Sequence, residues 1–162
     1  MRKMYVAIFM VAMLCLFGFI LTCSAESSDQ DEWMEYIDKI CADKGICQEL
    51  VEAIIERESN WDPAAVNGSC VGLMQIDQLT HWPRMQSLGI ADLSDPYDNI
   101  LIGVSILEEL FWKYEDPAAV LMFYNAGYSD KLGIGAYRRG EISDYALQVL
   151  ERAAELERLH GK

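Results

Sequence analysis

From residue 31 onward the apolar positions of this chain recur at intervals of three and four, the spacing that builds one face of an α-helix. Trp33, Met34, Ile37, Ile40 and Cys41 predict a helix over Asp31 to Lys44, and Gly45 ends it. A second helix is expected from about Cys47 to Ser59. Leu50, Val51, Ile54 and Ile55 form its apolar face, and Glu49, Glu52 and Glu56 are expected on the opposite, polar face. Residues 77–94 read as irregular, with a short helical turn near Pro83 to Leu88. Asp95-Pro96 then supplies an N-cap and a first-turn proline, and the face Ile100, Gly103, Val104, Leu107, Leu110, Phe111, Tyr114 is long enough for a central core helix. Gly103 within that face allows a neighbour to approach closely. Asp116-Pro117 repeats the start signal for a helix over Ala118 to Asn125, ended by Gly127, and a last helix runs from about Ile142 to Leu159 with Tyr145, Val149, Ala153 and Leu156 inward. No stretch shows the strict alternation of a half-buried strand, so the domain, residues 26–162, reads as all-α. Internal repeats and low-complexity tracts are absent.

Glu58 breaks the polar pattern of the second helix. It follows Ile54 by four residues and Val51 by seven, which places it on the core-facing stripe at the helix end. Burial disfavours a charged carboxyl, and one held in this way can keep its proton near neutrality and give it to a leaving oxygen. A local cap or a salt bridge with Arg57 is the other reading, and periodicity leaves both open. The loop from Asp62 to Val71 carries Asn67, Gly68 and Ser69, residues that suit either a plain turn or one offering hydrogen bonds to a ligand. Met74, Tyr97 and Tyr124 could pack on sugar faces, although such residues more often build core. Asn125 follows Tyr124 with no packing need of its own, and His81 reads as structural or solvated.

The chain has 162 residues and a formal net charge of −13. Arg2 and Lys3 are the only charged residues among the first 25, so loss of that segment would take the charge to −15. Such acidity argues against nucleic acid as a partner, because binding there requires Lys and Arg to neutralise phosphates. The uncharged run Met4 to Leu21, followed by Thr22-Cys23-Ser24-Ala25, predicts a signal peptide cut after Ala25 or an N-terminal membrane anchor, with a lipidated Cys23 as a third form. Each places the domain outside the cytoplasm. Cys41, Cys47 and Cys70 remain beyond that segment, and an oxidising compartment favours one disulfide, expected to join Cys70 to Cys41 or Cys47. Metal ligation is not expected, since there is no CxxC pair and the histidines are His81 and His160 alone.

Taken together, Glu58-Ser59 with Pro63 and Ala65, Gly-Leu-Met-Gln-Ile at 72–76, DPYDNILIGVSIL at 95–107, VLMFYNAG at 120–127, and Tyr145 with Val149-Leu150 resemble the soluble lytic transglycosylase domain. That is a lysozyme-like α-helical fold related to goose-type lysozymes, and the resemblance spans about Ile37 to Leu156. It implies a single domain of about six to eight helices. It also implies a monomer acting on peptidoglycan glycan strands, with no cofactor and no metal, that cleaves the β-1,4 bond between N-acetylmuramic acid and N-acetylglucosamine. Glu58 would be the sole acid/base and the product would carry a 1,6-anhydro ring. Ser59, Asn67, Met74, Gln75, Tyr124 and Asn125 carry over as substrate contacts, Tyr145 as a tyrosine approaching the acid, and Asn99 as a structural residue.

The loop between Glu58 and Gly72 looks one residue shorter than in the best-known members, and Asn67 stands where they often carry serine. Asp77, or secondarily Asp62, could position water, which would make the outcome hydrolysis as in goose-type lysozymes. A module that keeps the fold and only binds peptidoglycan is the non-enzymatic alternative.

Overall fold

The computed structural model describes residues 28–126 and 135–162. Its first helix, α1 (Asp29–Lys44), opens on a capping box: the Ser28 hydroxyl accepts from the Asp31 N–H while the Asp31 carboxylate accepts from the Ser28 N–H. Gly45 closes the helix at φ 65°, a conformation glycine adopts without strain. Next come α2 (Gln48–Glu58), the strands β1 (Val66–Asn67), β2 (Cys70–Val71) and β3 (Ile76–Asp77), and α3 (Gln78–Leu88). The chain continues through α4 (Pro96–Tyr114), α5 (Pro117–Ala126), α6 (Gly135–Arg138) and α7 (Asp144–Leu159). Seven helices among the described residues agree with the expected all-α, lysozyme-like domain.

Both Asp-Pro signals work as expected. Asp95 accepts from the N–H groups of Tyr97 and Asp98, and Asp116 accepts from that of Ala118. The glycine expected to end α5, Gly127, lies outside the described residues, as do the segment 1–25 and the run Met4 to Leu21. No described helix is long and apolar enough to cross a membrane.

The core is a single cluster. Val51, Ile54 and Ile55 of α2, Ile100, Val104 and Leu107 of α4, and Val120 and Leu121 of α5 are all without solvent contact. Gly103 makes the close approach its position suggested: a Cβ there would fall 2.2 Å from the Met74 sulfur. The α2 helix lies along α7, and α5 packs on both α4 and α7.

Three expectations are corrected. The loop after α2 contains a small antiparallel sheet in the order β1-β2-β3, pairing Val66 with Val71 and Val71 with Ile76. Strands of two residues are too short to display a period of two. The segment read as irregular holds α3, which starts at Gln78 because Asp77 caps it, accepting from the Leu79 N–H and the Thr80 hydroxyl. Pro83 sits inside that helix, where it forgoes only the bond to the carbonyl of exposed Leu79.

Finally, Glu49 and Glu52 do not face water. They are 1% and 7% exposed, because the C-terminal end of α7 and the residues after it cover that face. His160 Nδ1 stands 3.0 Å and Lys162 Nζ 2.7 Å from Glu49 Oε1, and Arg152 makes a bidentate pair with Glu56 at 2.6 and 2.9 Å. Periodicity identified the polar face but could not show that its partner is another charged face.

Asn99, fully buried in the first turn of α4, holds the sheet loop to the core. Its Oδ1 accepts from the Met74 N–H at 2.8 Å, and its Nδ2 donates to the carbonyls of Val71 and Leu93, each at 2.8 Å. Gly72 makes room: a Cβ there would lie 2.2 Å from Asn99 Nδ2, and its φ of 80° is itself unfavourable to other residues. Asn99→Ala would leave three buried backbone groups unpaired at once. We expect a loss of roughly 2–5 kcal/mol, read as a lower midpoint in urea unfolding with an unchanged slope; a change within 0.5 kcal/mol would contradict it.

Candidate active site

Glu58 is the last residue of α2, and its carboxyl is about two-thirds buried. The Tyr145 hydroxyl, carried by the first turn of α7, donates to Glu58 Oε1 at 2.6 Å. Burial raises the Glu58 pKa, opposed by that hydrogen bond and by the nearby Arg57 charge. Arg57 makes no ion pair with it; its guanidinium lies 6.0 Å from the centre of the Tyr145 ring. Tyr145 stays a donor, since burial first and the Glu58 charge second push its own ionisation far upward. The stripe reading of Glu58 therefore matches the structure better than the local salt-bridge reading.

Glu58 opens into a cleft of about 480 Å³. Asn67 from β1 and Gln75 from the turn before β3 line it, together with Tyr124 and Asn125 at the end of α5. Gln75 sits at φ 48°, and its amide donates to the carbonyls of Ala65 and Gly72, both at 3.0 Å, so the side chain braces the loop while facing the cleft. The Tyr124 hydroxyl donates to the Met74 carbonyl at 2.8 Å, which fixes its ring against the same loop.

Two expected contacts are placed elsewhere. The Met74 side chain is fully buried against Gly103, so only its backbone faces this network. The Ser59 hydroxyl turns back to the Ile55 carbonyl at 3.2 Å, where it finishes α2. Tyr97 is also absent from the cleft: its ring meets Tyr36 edge-on and its hydroxyl donates to Glu32.

Asp77 does line the cleft, but its oxygens already accept from Leu79, Thr80 and Ser69, interactions that hold its pKa low. Asp62 accepts from the Ala64 N–H at 2.9 Å and is exposed outside the lining. The three described cysteines are free thiols, so the expected disulfide is not formed. Cys70 instead lies in the cleft wall, where burial raises its pKa, followed by the charges of Asp77 and Glu58.

Sequence reasoning missed Thr80 and His81, which also line the cleft. Burial lowers the His81 pKa, with Arg84 adding to the effect, so its ring is held neutral. The signal was present in Asp77, a good N-cap residue immediately before them. Recognising that cap would have put Thr80 and His81 in the first turn of a helix beginning at the cleft.

The sequence pattern of the transglycosylase SLT domain matches residues 35–144. The chain belongs to that family. Among its relatives, a transglycosylase of Enterobacteria phage PRD1 is 31% identical over 97 residues, covering 59% of this chain and 35% of the phage protein. The invasion protein IagB of Salmonella typhimurium strain SL1344 is 36% identical over 91 residues, covering 51% of this chain and 56% of IagB. Membrane-bound lytic murein transglycosylase F of Desulfosudis oleivorans is 34% identical over 100 residues, 57% of this chain and 21% of that protein. The chain thus spans from about a fifth to just over half of these relatives. The SLT match contains every cleft residue named above and stops one residue short of Tyr145.

The raised pKa of Glu58 has a thermodynamic signature in this SLT domain. An acid that binds its proton more tightly folded than unfolded contributes stability below its ordinary value of 4.5, and that contribution fades as pH rises through the folded pKa. Glu58→Gln keeps an acceptor for Tyr145 and removes the titration. Thermal melts should therefore show the variant gaining on the parent as pH rises above about 4.5; a difference independent of pH would contradict a raised Glu58 pKa.

Proposed function

We propose that this chain is a peptidoglycan lytic transglycosylase in which Glu58 is the sole acid/base. The observation that carries the reading is the desolvated Glu58 carboxyl at the cleft with the Tyr145 hydroxyl bound to Oε1. With Oε1 occupied as an acceptor, the proton of the neutral acid resides on Oε2, available to a bound sugar. Glu58 protonates the glycosidic oxygen between N-acetylmuramic acid and N-acetylglucosamine as the C1–O4 bond breaks. The resulting carboxylate then takes the proton of the muramic C6 hydroxyl while O6 bonds to C1. The acid is regenerated, a 1,6-anhydro ring closes and no water is consumed. Because the attacking oxygen belongs to the substrate, the protein supplies no nucleophile, unlike the two-carboxylate glycosidases.

Asn67, Gln75, Tyr124 and Asn125 serve as contacts for the N-acetylated sugars, with the Met74 backbone behind Tyr124 and Ser59 finishing the helix that carries the acid. Peptidoglycan lies outside the cytoplasm, which fits residues 1–25 acting as a signal peptide or membrane anchor. A hydrolytic outcome is the second reading, favoured by Asp77 in the cleft wall.

Digestion of purified peptidoglycan and weighing of the muropeptides tests the assignment. Products lighter by one water are expected, and ordinary reducing ends would make the protein a muramidase. Glu58→Gln should slow clearing of cell-wall suspensions by roughly 10²–10⁴-fold; unchanged clearing would leave only a binding module.

Tyr145→Phe removes the hydrogen bond that holds the Glu58 pKa down. Since Glu58 must start protonated, the fall of activity on the alkaline side should move to higher pH in this variant, alongside a loss of roughly tenfold in kcat. An alkaline limb that does not move would remove Tyr145 from the acid's environment.

A further inference from the structure

At the end of the α2–α7 seam remote from Glu58, four potential metal donors converge from the two ends of the domain. Cys47, the N-cap of α2, has its Sγ 3.2 Å from Glu49 Oε2 and 3.4 Å from Glu157 Oε1. His160 Nδ1 lies 3.0 Å from Glu49 Oε1. Ligand atoms around a tetrahedral zinc with bonds of about 2.0–2.3 Å stand roughly 3.3–3.7 Å from one another, close to the separations found here. A second observation points the same way. The Glu52 side chain is 9% exposed, and its Oε2 has no hydrogen-bond partner although it lies 3.9 Å from the same His160 nitrogen. A buried carboxylate oxygen without a donor is costly, and its neighbours are themselves acceptors or acids. Lys162, 2.7 Å from Glu49 Oε1, is the one ammonium joined to this group among the ion pairs of the described residues.

We propose that Cys47, Glu49, Glu157 and His160 form a site for a divalent cation of the zinc class, with Glu52 supporting His160. The donor set of one thiolate, one imidazole and two carboxylates suits zinc or cobalt, and not magnesium or calcium, which take oxygen ligands. Binding requires Cys47 to lose its proton and displaces Lys162 from Glu49. The ion would staple the start of α2 to the end of α7. Those two helices carry Glu58 and Tyr145 at their other ends, so its role is to hold the seam. Spacing rules could not find this site, because its residues come from positions more than 100 apart.

The test titrates Co²⁺ into the full chain under reducing conditions. A near-ultraviolet thiolate-to-cobalt band saturating at one equivalent is expected, and Zn²⁺ should displace it. Cys47→Ser should abolish the band while Cys70→Ser leaves it intact. Glu157→Gln should weaken binding at least tenfold, and Lys162→Ala, which removes the competing ammonium, should tighten it. Excess Zn²⁺ should raise the melting temperature of the parent by several degrees and that of Glu157→Gln by much less. No band at millimolar Co²⁺, or a band that survives Cys47→Ser, would overturn the proposal. Cleavage of peptidoglycan is read separately, so failure here leaves the functional assignment standing.

Discussion

The cleft has a floor because one amide is fully satisfied inside the protein. Asn99 spends its oxygen on the Met74 N–H and its nitrogen on the carbonyls of Val71 and Leu93. A loop with so little regular structure has few ladder bonds of its own, and its buried backbone groups need partners from elsewhere. The longest helix supplies one, from a turn whose own N-terminus is capped by Asp95. Two glycines then act as negative space: Gly72 admits the Asn99 amide and Gly103 admits the Met74 side chain. With Met74 clamped on both sides, its carbonyl becomes the fixed acceptor for Tyr124. The position of a cleft-lining ring is therefore set by a chain of contacts that begins in the core.

The second organising element is the seam between α2 and α7, and its chemistry changes along its length. Near the cleft a single neutral donor, Tyr145, meets Glu58 in a surrounding that raises the acid's pKa. One turn back, Glu56 is paired bidentately by Arg152 and is only partly buried. Such a pair adds modest stability in a half-exposed setting, and its geometric value is to fix the angle between the helices. Farther on, Glu49 is buried among polar partners that hold its pKa near 2, burial opposing and the hydrogen bonds from Lys162 and His160 prevailing. One helix thus carries glutamates pushed in opposite directions, and the cause in each case is what α7 places beside it.

Much of this was readable from the residues. The Asp-Pro starts, the central helix with Gly103, and the exceptional face of Glu58 follow from periodicity and capping, which act over a few residues. Tyr124, Asn125, Gln75 and Asn67 were found through the resemblance and do meet at one cleft. What failed has a common origin. Glu49 and Glu52 were assigned to water because a sequence shows polarity and not what covers it. Ser59 and Met74 have side chains that local backbone and core geometry claimed first. Pro83 read as the start of a helical turn, and the cap at Asp77 outweighed it. The cysteine pairing was argued from compartment and count, neither of which places two sulfurs within reach.

Asp77 bears most directly on how one carboxyl can suffice in the proposed chemistry. A carboxylate that activates water needs a lone pair facing the cleft and a proton affinity high enough to accept a proton. Asp77 has its oxygens engaged by the Leu79 N–H and the Thr80 and Ser69 hydroxyls, and those same bonds depress its pKa. Each bond that makes it a good helix cap makes it a poorer base. Glu58 is in the opposite condition, with one hydroxyl on one oxygen and desolvation dominating. The helix start that brings Thr80 and His81 to the cleft thus also withdraws the second acid from proton transfer, and the asymmetry between the two carboxyls favours attack by an oxygen of the sugar itself over attack by water.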